Sequence, residues 1–372
     1  MSTYGQEMNS VELKRLLDHI FTRNSKLQER GLRGTPIMLW GAHGLGKTQS
    51  VMDYARNNNW KLAYCAPAQF EEMGDLHGMP TIVDPDNNIS GDEYTVYSPP
   101  EWVPKEEGPG ILVLDDMNRA DDRILRGIMQ LLQNFELSSW SLPPKWQIVA
   151  TANPDNGDYS VTTMDDAMLT RMMHITLKFD ARAWAEWALK AGVDQRGIDF
   201  VLTYPEAVTG KRTTPRSLVQ FFEQIHDIPD FKADLDLVMA LAKSALDETT
   251  IATFFSFINN DLAKLLDPSD ILNTEDFNTI KKQLEEIAVT EKGEKRLDRI
   301  STIMTRLYLF LGQQNYTPEK NHALNLVEFM LLEVIPEDLK MSFFMDINKE
   351  GRDDVKSMLK DKRLAKLLLS SL

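Results

Sequence analysis

One stretch constrains this chain more than any other: Pro36-Ile37-Met38-Leu39-Trp40-Gly41-Ala42-His43-Gly44-Leu45-Gly46-Lys47-Thr48. A short apolar run with the pattern of a buried strand ends in GAHGLGKT, which satisfies the spacing GxxxxGK[ST]. Glycines in such a loop let it curl until successive backbone N–H groups point inward at an anion. The loop is expected to open a helix, whose N-terminal dipole favours the same anion. Gly41, Ala42, His43, Gly44, Leu45, Gly46, Lys47 and Thr48 are therefore the expected phosphate cradle. Within it Lys47 is placed to reach β- and γ-phosphates and the Thr48 hydroxyl to ligate Mg²⁺. His43 reads as a permissive position. The expected ligand is ATP with Mg²⁺.

Two further strand ends add polar groups. Gly110-Ile111-Leu112-Val113-Leu114 runs into Asp115-Asp116. Asp115 is placed to hold Mg²⁺ with Thr48, directly or through water, and Asp116 to orient and polarise an attacking water. Acidic residues at a strand end also serve as helix N-caps. Ile148-Val149-Ala150-Thr151-Ala152-Asn153-Pro154 is a second such strand. In a parallel sheet it would lie beside the strand carrying Asp115, with Asn153 in reach of the γ-phosphate or the lytic water. Asn-Pro is also a turn former.

The composition narrows the partners. Among 372 residues, 56 acidic and 41 basic side chains give a net charge of −15, which disfavours nucleic acid as a partner. Basic clusters at Lys211-Arg212 and from Lys360 to Lys366 read as solvated faces. The one cysteine, Cys65, permits no intrachain disulfide and reads as a buried strand thiol, which suits a reducing cytoplasm. No secretory leader is expected from the first residues, and no apolar run reaches membrane-spanning length.

Apolar spacing predicts a helix over 10–30. Strands are expected at 36–40, 61–66, 111–114, 147–151 and 174–179, separated by helix-compatible stretches, hence a parallel five-stranded sheet flanked by helices. Two hairpins are expected, one centred on 81–90 and one over 135–146 turning near Pro143-Pro144. Beyond about residue 180 only helical patterns remain. The expected division is 1–180 for the α/β nucleotide-binding domain, 181–267 for a helical lid and 268–372 for a helical extension. The C-terminal aromatic and methionine positions, Phe254, Phe255, Phe257, Met341, Phe343, Phe344 and Met345, read as helix core.

The set GAHGLGKT, LVLDDMNRA, VATANP, DDAMLTRMMHI and TPRSL, in this order over residues 30–225, resembles the AAA+ ATPases, and among them the MoxR-type and dynein-related branch. The resemblance implies that Asn153 is the sensor 1 residue, Arg171 the arginine finger and Arg216 the sensor 2 arginine. Taken alone, Arg171 at a helix end equally suits a cation on helix carbonyls. Arg216, at a helix start, is not favoured by the dipole, which suits an anionic partner. The resemblance further implies a P-loop AAA+ domain followed by a lid, ATP hydrolysis, a homo-oligomeric and commonly hexameric ring, and remodelling of a protein substrate, with a von Willebrand A-type adaptor. Two alternatives stand beside it: a nucleic-acid-associated motor or loader, and a slow nucleotide-gated switch or scaffold. The second follows from Asp116, which stands where the family usually has Glu.

Overall fold

The computed structural model describes residues 4–83, 93–154, 161–209, 212–260, 262, 265–289, 293 and 295–370. The chain divides into two compact units, Met1–Asp180 and Ala181–Leu372.

In the first unit the strands are β1 (Gln6–Met8), β2 (Ile37–Trp40), β3 (Lys61–Cys65), β4 (Met79–Val83), β5 (Tyr94–Ser98), β6 (Gly110–Leu114), β7 (Glu136–Leu137), β8 (Trp140–Ser141), β9 (Trp146–Ala152) and β10 (Met173–Leu177). The helices are α1 (Ser10–Gln28), α2 (Lys47–Asn57), α3 (Met73–His77), α4 (Asp122–Asn134) and α5 (Asp166–Leu169). The main sheet is parallel throughout, in the order β1-β10-β2-β9-β6-β3. The five expected strands are joined by a sixth, β1, at the β10 edge. Three residues are too few to show a period-2 pattern, so only pairing with β10 reveals them.

Strands β2, β6 and β9 are buried along their whole length, as expected of a sheet covered on both faces. Alternation divides their side chains. Ile37, Leu39, Ile111, Val113, Val149, Ile175 and Leu177 pack with α1 and α2. Met38, Trp40, Leu112, Leu114, Ile148 and Ala150 pack with α4. Helix α1 begins at a reciprocal cap in which Asn9 accepts from the Glu12 amide and Glu12 accepts from the Asn9 amide.

The first hairpin is β4 with β5, and its connection at 84–92 lies outside the described residues. The second is β7 with β8, pairing Leu137 with Trp140. Its turn is therefore at Ser138-Ser139 and not at Pro143-Pro144 as expected. Ser138 takes φ 52°, the left-handed conformation that two-residue hairpin turns need. The two prolines instead lead the chain into β9.

The second unit is helical: α6 (Ala181–Ala191), α7 (Gln195–Thr203), α8 (Pro215–Ile225), α9 (Leu235–Ala245), α10 (Glu248–Asn260), α11 (Pro268–Asn273), α12 (Phe277–Ile287), α13 (Leu297–Leu311), α14 (His322–Met330), α15 (Glu337–Glu350), α16 (Asp353–Met358) and α17 (Lys362–Ser370). Pro215 and Pro268 open their helices at the first position, behind the N-caps Thr214 and Asp267. Leu266 to Leu364 share one core. Arg306 on α13 reaches back to Asp199 on α7 at 3.2 Å. Burial pushes the Asp199 carboxyl up to about 6, against the pull of Arg306. Among the aromatic positions expected in the core, Phe254, Phe255, Phe257 and Phe343 are buried, whereas Met345 is exposed. Of the two basic clusters, Lys211 lies outside the described residues. Arg212 caps the end of α9 through the Ser244 carbonyl (2.7 Å), and Arg363 pairs with Glu328 (2.6 Å).

The Phe254 ring stands edge-on to Phe200 and to Phe221, each at 5.1 Å between centroids, and is fully buried. Phe254→Ala is expected to destabilise this unit by about 3–5 kcal/mol through lost transfer energy and the cavity left behind. Urea denaturation of the whole protein, followed by circular dichroism, checks this. A change under about 1 kcal/mol would mean that the site collapses around the gap.

Candidate nucleotide site

The order β2-β9-β6 assembles the site. Trp40 at the end of β2 is level with Ala152 on β9, and Leu114 at the end of β6 is level with Ala150. The residues that follow these strands therefore emerge together at one edge of the sheet: the loop from Gly41, Asn153, and Asp115-Asp116.

The loop has the backbone its glycines permit. Gly41, Gly44 and Gly46 take φ of 157°, 72° and 84°. Gly46, left-handed at the N-cap of α2, has no side chain to satisfy the helix's first amides, and a Cβ built there meets nothing within 4 Å. A glycine N-cap with open space beside it leaves room for a phosphate at the helix start. Lys47 is the first residue of α2 and is 6% exposed. Its ammonium donates to the carbonyls of Gly41 (2.8 Å) and Ala42 (3.1 Å) and to Asn153 Oδ1 (3.0 Å). Ala42 and His43 are exposed, Gly44 is buried, and Leu45 packs toward the α1–α2 core.

Asn153 is the hinge of the arrangement. Its Oδ1 accepts from Lys47 while its Nδ2 donates to Asp116 Oδ1 at 2.9 Å. It is held by Asn118: the Asn118 side chain donates to the Asn153 carbonyl (2.7 Å) and accepts from the Asn153 amide (3.1 Å). Both asparagines are buried. Asp115 is held on both oxygens. Oδ1 accepts from the hydroxyls of Thr48 (2.5 Å) and Thr151 (2.7 Å), and Oδ2 from the Tyr64 phenol (2.9 Å). Burial, then the bond to Asp115, pushes the Tyr64 phenol up to about 12. The Asp116 amide donates to Thr151 Oγ1 (2.9 Å), and its carboxylate stands 3.4 Å from Arg119 Nε. Asp116 takes φ 46° and ψ 42°, a left-handed conformation that Asp tolerates better than most residues. Burial pushes the neighbouring Cys65 thiol up to about 12, away from the thiolate form.

The structure thus brings together Gly41, Ala42, Lys47, Thr48, Asp115, Asp116 and Asn153. Arg171 stands apart from this hydrogen-bonded cluster. It follows α5, donates to the Ala167 carbonyl of its own helix and lies 3.2 Å from Gln133 Oε1 on α4. Arg216 belongs to the second unit, exposed at the second position of α8. Four residues of the cluster were missed in the sequence as contacts: Tyr64, Thr151, Asn118 and Arg119. Thr151 had a usable signal, since it shares a strand face with Asn153 two positions on. Tyr64 had none, because β3 meets Asp115 only through the pairing of β3 with β6.

The donor set fits a hydrated Mg²⁺, a hard ion that takes one or two protein oxygens and completes its shell with phosphate and water. Thr48 and Asp115, already 2.5 Å apart, would hold it. Among the described residues no group of three or more His, Cys, Asp or Glu side chains forms a dedicated metal cage. No helix of the described residues is long and apolar enough to cross a membrane.

Comparison with known proteins agrees with the geometry. The family model for the AAA domain of the dynein-related subfamily matches residues 36–172. No curated protein matches the sequence. Similar solved structures include the Thermotoga maritima RuvB Holliday junction branch migration motor, with 14% identity over 76% of this chain and 91% of that chain and a TM-score of 0.38. NtrX from Brucella abortus in complex with ADP is similar at 14% identity over 80% of this chain and 65% of that chain, also with a TM-score of 0.38. Likenesses of this size carry no argument about function. The family match and the constellation at the sheet edge concern the same residues: over residues 36–172 the chain is similar to the AAA domain of the dynein-related subfamily.

Proposed function

We propose that the protein is an ATP-hydrolysing AAA+ ring ATPase of MoxR-like type that remodels or assembles partner proteins. One observation carries the hydrolytic part: Asn153 bridges Lys47 and Asp116, so the group aimed at the γ-phosphate and the group aimed at water share one rigid amide. Lys47 and the loop amides bind and orient the phosphates. Asp116 accepts a proton from the attacking water, and Asn153 fixes where that water sits. Thr48 and Asp115 would hold Mg²⁺, which would supply positive charge to the bound phosphates. Arg171 is proposed to complete a neighbouring subunit's site and Arg216 to be the sensor 2 arginine, suited to an anionic partner. The proposal includes a hexameric ring, a protein substrate or von Willebrand A-type adaptor, a cytoplasmic setting, and the division of the helical unit into a lid (181–267) and an extension (268–372). The net charge of −15 weighs against the nucleic-acid motor.

The slow switch is a second reading with its own observation. Asp116 is one methylene shorter than Glu, and its two oxygens are engaged by Asn153 and Arg119. Steady-state phosphate release separates the readings. Asp116→Asn is expected to bind ATP with affinity near that of the native protein and to lose turnover by about 10²-fold or more, the range of a lost general base. Native-like turnover in that variant would place the water-polarising group elsewhere. A native rate already as slow as the variant's would favour the switch.

A further inference from the structure

One side chain joins the strand before the phosphate loop to the turn that carries Arg171. His174 on β10 is level with Met38 on β2, and its ring lies beside Trp40, two residues further along that strand. The Trp40 indole donates from Nε1 to His174 Nδ1 at 2.9 Å. The other ring nitrogen, Nε2, is 2.7 Å from the Leu169 carbonyl oxygen. An indole N–H only donates and a carbonyl only accepts, so both bonds hold together only with the ring proton on Nε2. The indole is itself clamped. Tyr4 stacks on it at 4.0 Å between centroids, and the Tyr4 carbonyl accepts from the Thr176 hydroxyl at 2.8 Å. Gly5 allows this approach, since a Cβ there would stand 1.9 Å from the His174 carbonyl oxygen.

The two ends of this relay are the two halves of the proposed chemistry. Trp40 is followed directly by Gly41, whose carbonyl accepts from Lys47. Leu169 is the last residue of α5, and Arg171 follows in the turn that leads back into β10.

We propose that His174, anchored by Trp40, is a positioning residue for Arg171. It ties the turn after α5 to the strand that bears the phosphate loop, so that the guanidinium is presented in a fixed place. This rests on the reading of Arg171 as a cation supplied to a neighbouring subunit. A histidine that merely fills the sheet edge would make the same contacts but would not be needed for turnover.

The test uses variants that break the relay at different points in the full chain. His174→Phe removes both bonds and keeps a ring. His174→Gln keeps a donor near Nε2 and loses the Trp40 bond. Trp40→Phe removes the indole N–H and keeps a ring for Tyr4. Each is expected to bind ATP within about twofold of native, with KM unchanged and kcat lowered about 10- to 100-fold, the range of a misplaced catalytic group. Mixed with Lys47→Ala subunits, His174→Phe should recover activity, because the defect lies on the side that donates Arg171. Native kcat in two of these variants, with only a lower melting temperature, makes His174 a packing residue and overturns the proposal. Weakened ATP binding without recovery on mixing also overturns it, because His174 would then act on its own loop. The Arg171→Ala and Lys47→Ala mixture is the control. If it recovers and the His174→Phe mixture does not, the inference alone fails. If the control stays dead, the trans reading fails and takes the inference with it.

Discussion

Lys47→Ala is expected to abolish ATP turnover and most nucleotide affinity while leaving the fold intact. The ammonium is buried against two loop carbonyls and Asn153. Its removal takes away the charge aimed at the β- and γ-phosphates and releases the Asn153 side chain from one of its two partners. Thr48 and Asp115 keep only the metal contact. Losing a single preorganised charge-stabilising donor costs about 10²–10³ in rate, and loss of a full charge here should cost at least that. Phosphate release, titration with a fluorescent nucleotide and thermal melting read the three components separately. Unchanged turnover in this variant would remove the proposed site altogether. A collapsed fold would instead assign Lys47 to holding the loop carbonyls, and Lys47→Met, which keeps the unbranched stem and drops the ammonium, would then decide.

Arg171→Ala is expected to be nearly inactive and nearly as stable as the native protein. The guanidinium sits at the end of α5, bonded to the Ala167 carbonyl and near Gln133, in a partly exposed position. Two such bonds at a partly exposed site contribute about 1 to 2 kcal/mol each, so a helix-end role predicts a modest stability loss and full turnover. A cation supplied to a neighbour's γ-phosphate predicts the opposite, with a rate loss of about 10³–10⁵. Arg171→Ala and Lys47→Ala subunits, each inactive alone, should recover activity when mixed, since a ring then pairs an intact Lys47 site with an intact neighbouring Arg171. Turnover should also rise with protein concentration as subunits assemble. A mixture that stays inactive while subunits demonstrably exchange, or full turnover in a dilute monomer, returns Arg171 to the helix end.

Much of the site was legible because its signals are local. A glycine run between a strand and a helix, two acids at a strand end, and an asparagine after another strand are each written within a dozen consecutive residues. The backbone they need is set by neighbours in the chain, through positive φ at Gly44 and Gly46 and the helix start at Lys47. The roles of Lys47, Thr48, Asp115, Asp116 and Asn153 could be expected from chemistry and spacing. Their mutual contacts could not. Asn153 meets Lys47 across 106 positions and Asp116 across 37.

What the sequence determined by itself was therefore the inventory: a phosphate loop, strands rich in apolar residues, two acids, an amide and a run of helices. That the strand ending in Asn153 lies beside the one carrying Asp115 was expected; the tertiary structure decided that β2 lies on its other side, which turns separate strand ends into one cluster. It alone placed Tyr64 and Thr151 on Asp115, Asn118 on Asn153, β1 at the sheet edge and the second hairpin's turn at Ser138-Ser139. The physical reason is one of range. Loop conformation and strand character follow from sterics and burial patterns within a few residues. Strand order in a parallel sheet is set by how the crossover helices pack, and that packing leaves no mark in the local sequence.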